Sequence, residues 1–182
     1  MKALFFTMRW INWLNDWSGR LVSLAILPIF ALLILEILVR LVAGAPLVWT
    51  SELTQLLFGV YAVLSGGYIL AHREHVNVDL LFSRFSRRQQ AIIDIFTAML
   101  MFLFTGALVY FGSSLAYESI SFLERSQSAW NPPIWPAKLA IPVGAVLLLL
   151  QGLVKFVQDI ITALDLPLPA DLVPPGQGGV AP

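Results

Sequence analysis

The chain has 182 residues, 58% apolar and 12% charged, and its eleven basic and eleven acidic side chains cancel. Charge at about half the share of a soluble domain excludes an ordinary water-facing fold, which needs more polar surface. Neutrality argues against nucleic acid as a partner, and the absence of cysteine excludes disulfides, thiolate zinc sites and a cysteine nucleophile.

The first element is short of a membrane span. Trp10, Trp13, Leu14 and Trp17 fall on one helical stripe, and Arg9, Asn12, Asn15, Asp16 and Arg20 fall off it. Tryptophans on one face beside cations suit a helix lying in the headgroup layer. The competing reading is a soluble-type helix packed on the bundle. Between Arg20 and Arg40 stand nineteen residues with one charge, Glu36, close to the ~20 needed to cross the hydrocarbon. The first span is expected over about 21–42, kinked at Pro28. Ala43-Gly44-Ala45 has the look of a cleavage site, but the apolar run is too long for a signal peptide and Arg40 interrupts its end.

Gly44-Ala45-Pro46 makes a turn, and a second span follows over about 49–71. Gly59, Ala62 and Gly66 form a small-residue ridge on it, either a close-packing face or ordinary apolar filler. His72 to Asp79 and the basic run behind it are the most polar stretch of the chain. Within it Val78, Leu81, Phe82 and Phe85 recur at helical spacing, which predicts a short surface helix capped by Asn77. Ser86 and Gln89 have capping-box spacing and start the next helix. The third span covers about 92–118, uncharged between Asp94 and Glu118, with Gly106 and Ser113 as its expected packing face. In the loop from Ser126 to Pro136, Asn131 and Pro132 suit a helix cap and first-turn proline; Trp130 and Trp135 belong at the interface. The fourth span covers about 136–158, bent near Pro142, with Gln151 as its one strongly polar interior residue. Residues 1–164 are thus read as one membrane domain. The tail 165–182, rich in proline and glycine, is expected to be disordered.

The expected fold is therefore all-α and integral to the membrane. It has four transmembrane helices, an N-terminal interfacial helix and a surface helix between the second and third spans. Four spans put both termini on the side of the central loop. That side holds Lys2, Arg9, Arg20, Arg73, Arg84, Arg87, Arg88 and Lys155, against Arg40, Arg125 and Lys138 opposite. The bias predicts cytoplasmic termini, and the arginine-rich loop can meet anionic membrane lipids at ~1 kcal/mol per basic residue.

Gly66-Gly67-Tyr68-Ile69-Leu70-Ala71-His72-Arg73-Glu74-His75-Val76-Asn77-Val78-Asp79-Leu80-Leu81 resembles the central segment of the DctQ-type small membrane subunits of tripartite ATP-independent periplasmic (TRAP) transporters. Ser51-Glu52-Leu53 and Trp135-Pro136-Ala137-Lys138-Leu139-Ala140-Ile141-Pro142-Val143-Gly144 resemble that family as well, in the same order. The resemblance implies a scaffold subunit in a bacterial inner membrane, bracing a large TRAP membrane subunit that carries substrate and sodium sites. It implies a periplasmic substrate-binding protein that delivers an organic acid, sodium-driven uptake without ATP hydrolysis, and no cofactor.

The polar residues fit that role. Glu36 precedes Arg40 by four residues, the favourable order for a local pair; contact with a partner subunit is the alternative. Glu52 is expected either to pair with Arg40 across the hairpin or to meet a basic residue of the large subunit. Arg40, Glu52, Gly59, Gly66, Trp130 and Trp135 are the subunit-interface candidates. Arg73, His75, Asp79 and Arg84 are candidates for a cytoplasmic hinge, with Asp79 capping the surface helix or pairing with Arg73 or Arg84. His72 and His75 alone are too few for a closed metal site. Their spacing does not face two ligands across a bundle, which disfavours a cytochrome b-type subunit. A self-assembling channel would need polar residues along the spans, whose interiors are almost bare. No nucleophile–base pair or phosphate-binding glycine loop supports an enzyme.

Overall fold

The computed structural model describes residues 2–72 and 87–164, together with 169 and 172. These form five helices: α1 (Lys2–Ser23), α2 (Ile26–Ala43), α3 (Val48–Ala71), α4 (Arg87–Ser121) and α5 (Trp135–Ala163). Four stretches are long and apolar enough to cross a membrane, with Leu4–Ala43 counted as one. Among the described residues there is no strand beyond the single bridge of Arg125 with Pro133.

The first boundary differs from the expected one. α1 runs past Arg20 to Ser23, and the chain breaks at Leu24–Ala25. Pro28 is the cause. It has no N–H, so the carbonyl of Leu24 loses its donor four residues on. The chain tightens there into three-residue bonds, Leu24 N–H to Leu21 (3.3 Å), Ala25 N–H to Val22 (2.9 Å) and Leu27 N–H to Leu24 (3.3 Å). Pro28 therefore sets the joint between α1 and α2 instead of kinking a span from within.

α1 rests on α3 and, less extensively, on α5. Its buried face is Met8, Asn15 and Gly19, while Trp10, Trp13 and Trp17 are each more than half exposed. The tryptophan stripe thus points away from the protein. The helix does pack on the bundle, but through the opposite side, that of Met8, Asn15 and Gly19.

The other helices stand in a row, α2–α3–α5–α4, each packed chiefly on its neighbours. α3 and α5 approach most closely at Gly144, where a Cβ would lie 2.6 Å from the carbonyl oxygen of Val63. Only hydrogen fits there, and apolar helices in lipid associate through such close contact. The expected ridges lie elsewhere. Gly59 has open space, Gly66 meets only Leu148 at ordinary contact distance, and Gly106 has no neighbour; on α4 it is Gly112 that faces Ile141 and Pro142 of α5.

The link from α4 to α5 is a closed turn. Ser126 N–H donates to the Pro132 carbonyl (2.9 Å) and Ile134 N–H to that of Glu124 (3.0 Å). Asn131 sits in the left-handed region, φ 52°, which asparagine tolerates. It does not cap α5, as expected of it. The helix starts three residues beyond Pro132, with Pro136 in its first turn, and continues unbroken through Pro142. Leu172, in the tail expected to lack order, is buried against Met8 and Val154 and receives a bond from Gln158 (3.1 Å). The surface helix over 78–85, its Asn77 cap and the Ser86 capping box lie outside the described residues, as does most of the tail.

Candidate functional site

Polar side chains gather at three places, and each ties helices together. At the end carrying the α2–α3 turn, Glu36 accepts from Arg40 (3.2 Å) and from the Thr50 hydroxyl of α3. A single carboxylate thus binds its own helix and the next one, and Thr50 is fully buried under it. Glu52, one helical step away, accepts from Ser128 of the α4–α5 turn. The ring of Trp49 stacks at a tilt on Trp130 across the same gap, centroids 6.4 Å apart. The expected Arg40–Glu52 pair does not form: Arg40 is taken by Glu36, and Glu52 by Ser128. Lys138 binds Glu124 at 2.5 Å. Its ammonium holds the Glu124 carboxyl below the ordinary carboxylate range, so the tie is complete at neutral pH and is lost as pH falls through that lowered value.

The middle of the molecule holds an amide lock. Gln151 Nε2 donates to Asn12 Oδ1 (2.9 Å), and Asn15 Nδ2 donates to Gln151 Oε1 (3.1 Å) and to the Ile11 carbonyl (3.1 Å). Asn15 is fully buried, and its Oδ1 has no hydrogen-bond donor. It presses on Gly67 of α3, where an added Cβ would stand 2.0 Å away. Three helices therefore meet at one side chain. Gln151 carried the signal in the sequence, as an amide in an apolar run; its partners looked like the solvent side of an amphipathic helix.

At the opposite end Lys155 of α5 lies 3.0 Å from Asp94 of α4 and 3.2 Å from Asp159. His72 stands 3.7 Å from Asp16 and stacks on Tyr68. Arg73, His75, Asp79 and Arg84, the hinge candidates, lie outside the described residues.

Two open grooves complete the surface. One, of about 310 Å³, runs between α3 and α5 and is lined by Gly59, Val63, Lys138 and Ile141 among others. The other, of about 620 Å³, lies along α4 and is lined by Gly106, Tyr110, Ser113, Ser114 and Tyr117, with Leu149. Of the remaining interface candidates, Trp130 is partly exposed and Trp135 half-buried.

Comparison with known proteins agrees with this architecture. The family model described as the DctQ component of tripartite ATP-independent periplasmic transporters matches residues 29–162. The sialic acid TRAP transporter permease protein SiaT of Haemophilus influenzae (strain 86-028NP) is 32% identical over 105 residues, 58% of this chain. The matched stretch spans 17% of that permease's length.

Proposed function

Because the chain belongs to the DctQ family of tripartite ATP-independent periplasmic transporters, it is a small permease subunit of a TRAP transporter, and we propose that it acts as the scaffold of a sodium-coupled importer of an organic acid. The substrate arrives from a periplasmic binding protein and crosses through a larger membrane subunit, in a bacterial inner membrane. The chain itself catalyses no reaction.

One observation carries the scaffold reading. Among the described residues, the polar side chains Glu36, Thr50, Asn15 and Gln151 are spent on tying helices together, and they form no track from one end to the other. An intramembrane polar group marks a transport path only when it faces one; Glu36, Thr50, Asn15 and Gln151 face other helices of this chain. The share of the sialic acid permease matched, 17%, leaves most of such a transporter to a larger membrane part. The hydroxyl-lined groove of α4 suits contact with that part. Tyr110 and Tyr117 are 73% and 76% exposed, and hydroxyls facing hydrocarbon without a partner are costly.

The test is reconstitution. The chain alone in liposomes under an inward-directed sodium gradient should take up no sialic acid or small carboxylate. Added to a large TRAP membrane subunit and a periplasmic binding protein, it should restore uptake. Transport by the chain alone would overturn the reading.

A further inference from the structure

We propose that the cavity between α4 and α5 at the Lys155 end is a binding site for the zwitterionic headgroup of one phospholipid, phosphatidylethanolamine. The cavity holds about 200 Å³ and is lined by Asp94, Thr97 and Lys155 on its polar side and by Leu70, Met101 and Phe156 on its apolar side. This division of the walls matches a headgroup joined to an acyl chain.

The depth matches as well. α4 and α5 have 35 and 29 residues, about 52 and 44 Å at the helical rise. Both exceed the ~30 Å hydrocarbon layer, so with each centred in it α4 projects roughly 11 Å and α5 roughly 7 Å at either end. Asp94 is the eighth residue of α4, and Lys155 stands eight before the end of α5, about 12 Å from each helix end. The pair therefore lies within about one helical turn of the level where hydrocarbon gives way to headgroups.

The bonding capacity is complementary. Lys155 Nζ spends two of its three protons, on Asp94 Oδ2 (3.0 Å) and Asp159 Oδ2 (3.2 Å); the third is left for a phosphate oxygen. Asp94 uses one oxygen in that pair, and its Oδ1 can accept from an ethanolamine ammonium. Thr97 spends its hydroxyl on the carbonyls of Ile93 and Asp94 and shapes the wall. Both side chains are mostly covered, 20% exposed for Asp94 and 24% for Lys155, so water screens the site little.

The full chain, with whatever subunits it retains, would be delipidated and titrated with phosphatidylethanolamine and phosphatidylglycerol in native mass spectrometry. The expected result is preference for the ethanolamine lipid by about fivefold or more, the worth of one headgroup-level charge contact. Asp94→Asn keeps an acceptor for Lys155 but loses the charge facing the ammonium, so the preference should vanish while phosphatidylglycerol still binds. Ala98→Leu fills the cavity without touching the pair and should weaken both lipids alike; it serves if Asp94→Asn does not fold. Equal binding of the two lipids by the parent chain, an unchanged preference in Asp94→Asn, or binding of free phosphoethanolamine as tight as that of the lipid, which would show that the apolar wall holds no acyl chain, would each overturn the proposal.

Discussion

At the scale of single residues, the fold depends on a few polar groups placed where only the partner helix can satisfy them. Asn15 is the clearest. It is fully buried, donates twice and receives nothing at Oδ1, so its place depends on Gln151. Gln151→Leu would strip one bond from Asn15 and one from Asn12 and leave a buried amide short of partners. Such an orphan costs about 1–3 kcal/mol. The expected outcome is a lowered unfolding temperature in detergent, with faster proteolysis of α1 than of α3 to α5; an unchanged temperature would show that the lock carries no weight. The amide itself was visible in the sequence as a break in an apolar run. That it reaches α1 was not, because Asn12 and Asn15 lie on the polar side of a helix whose other side is tryptophan.

At the scale of elements, the joint between α1 and α2 shows how one backbone atom redirects a chain. Without Pro28 the segment from Leu4 to Ala43 has no local reason to break, since no other proline and no glycine stands near the joint at Leu24–Ala25. Pro28→Ala restores the missing N–H and should let α1 and α2 run on as one rod. α1 would then lift from α3 and α5. The natural chain has no cysteine, so a Met8→Cys/Val154→Cys pair reports that contact cleanly, both side chains being buried together. The disulfide should form readily with Pro28 present and several-fold more slowly in the Pro28→Ala background. The expectation of a kink was right about the residue and misplaced in its effect, since the lost bond falls at the entry of the span. The small residues show the same limit: Gly59 and Gly144 both stand in apolar runs, and only the crossing point of α3 and α5 decides that Gly144 is the one in contact within this chain.

At the scale of the whole molecule, a row of helices with α1 laid across it is an open arrangement. It covers little of its own surface, and the uncovered apolar side chains of α2 and α4 must face lipid or a larger protein. This form suits a brace, and it gives orientation a consequence: which end meets the cytoplasm decides which partner reaches the Glu52–Ser128 end. The basic residues are eight to three in favour of the Lys155 end, so that end is expected inside. Reporter fusions after Arg88 and after Gln127 should read cytoplasmic and periplasmic respectively; cytoplasmic activity at 127 would reverse the assignment.

The residue string alone determined the class and the number of spans, because crossing a bilayer is a local demand of length and apolarity that each segment meets or fails by itself. It determined the tryptophan face of α1 for the same reason. Only the tertiary structure decided that Glu52 reaches Ser128 and not Arg40, that Asn15 joins Met8 in holding α1, and that the helices line up instead of closing into a bundle. Lipid is as apolar as the helices that cross it, so hydrophobic pattern cannot tell a buried face from a lipid-facing one. Register and crossing geometry, which join residues more than a hundred positions apart, make that choice.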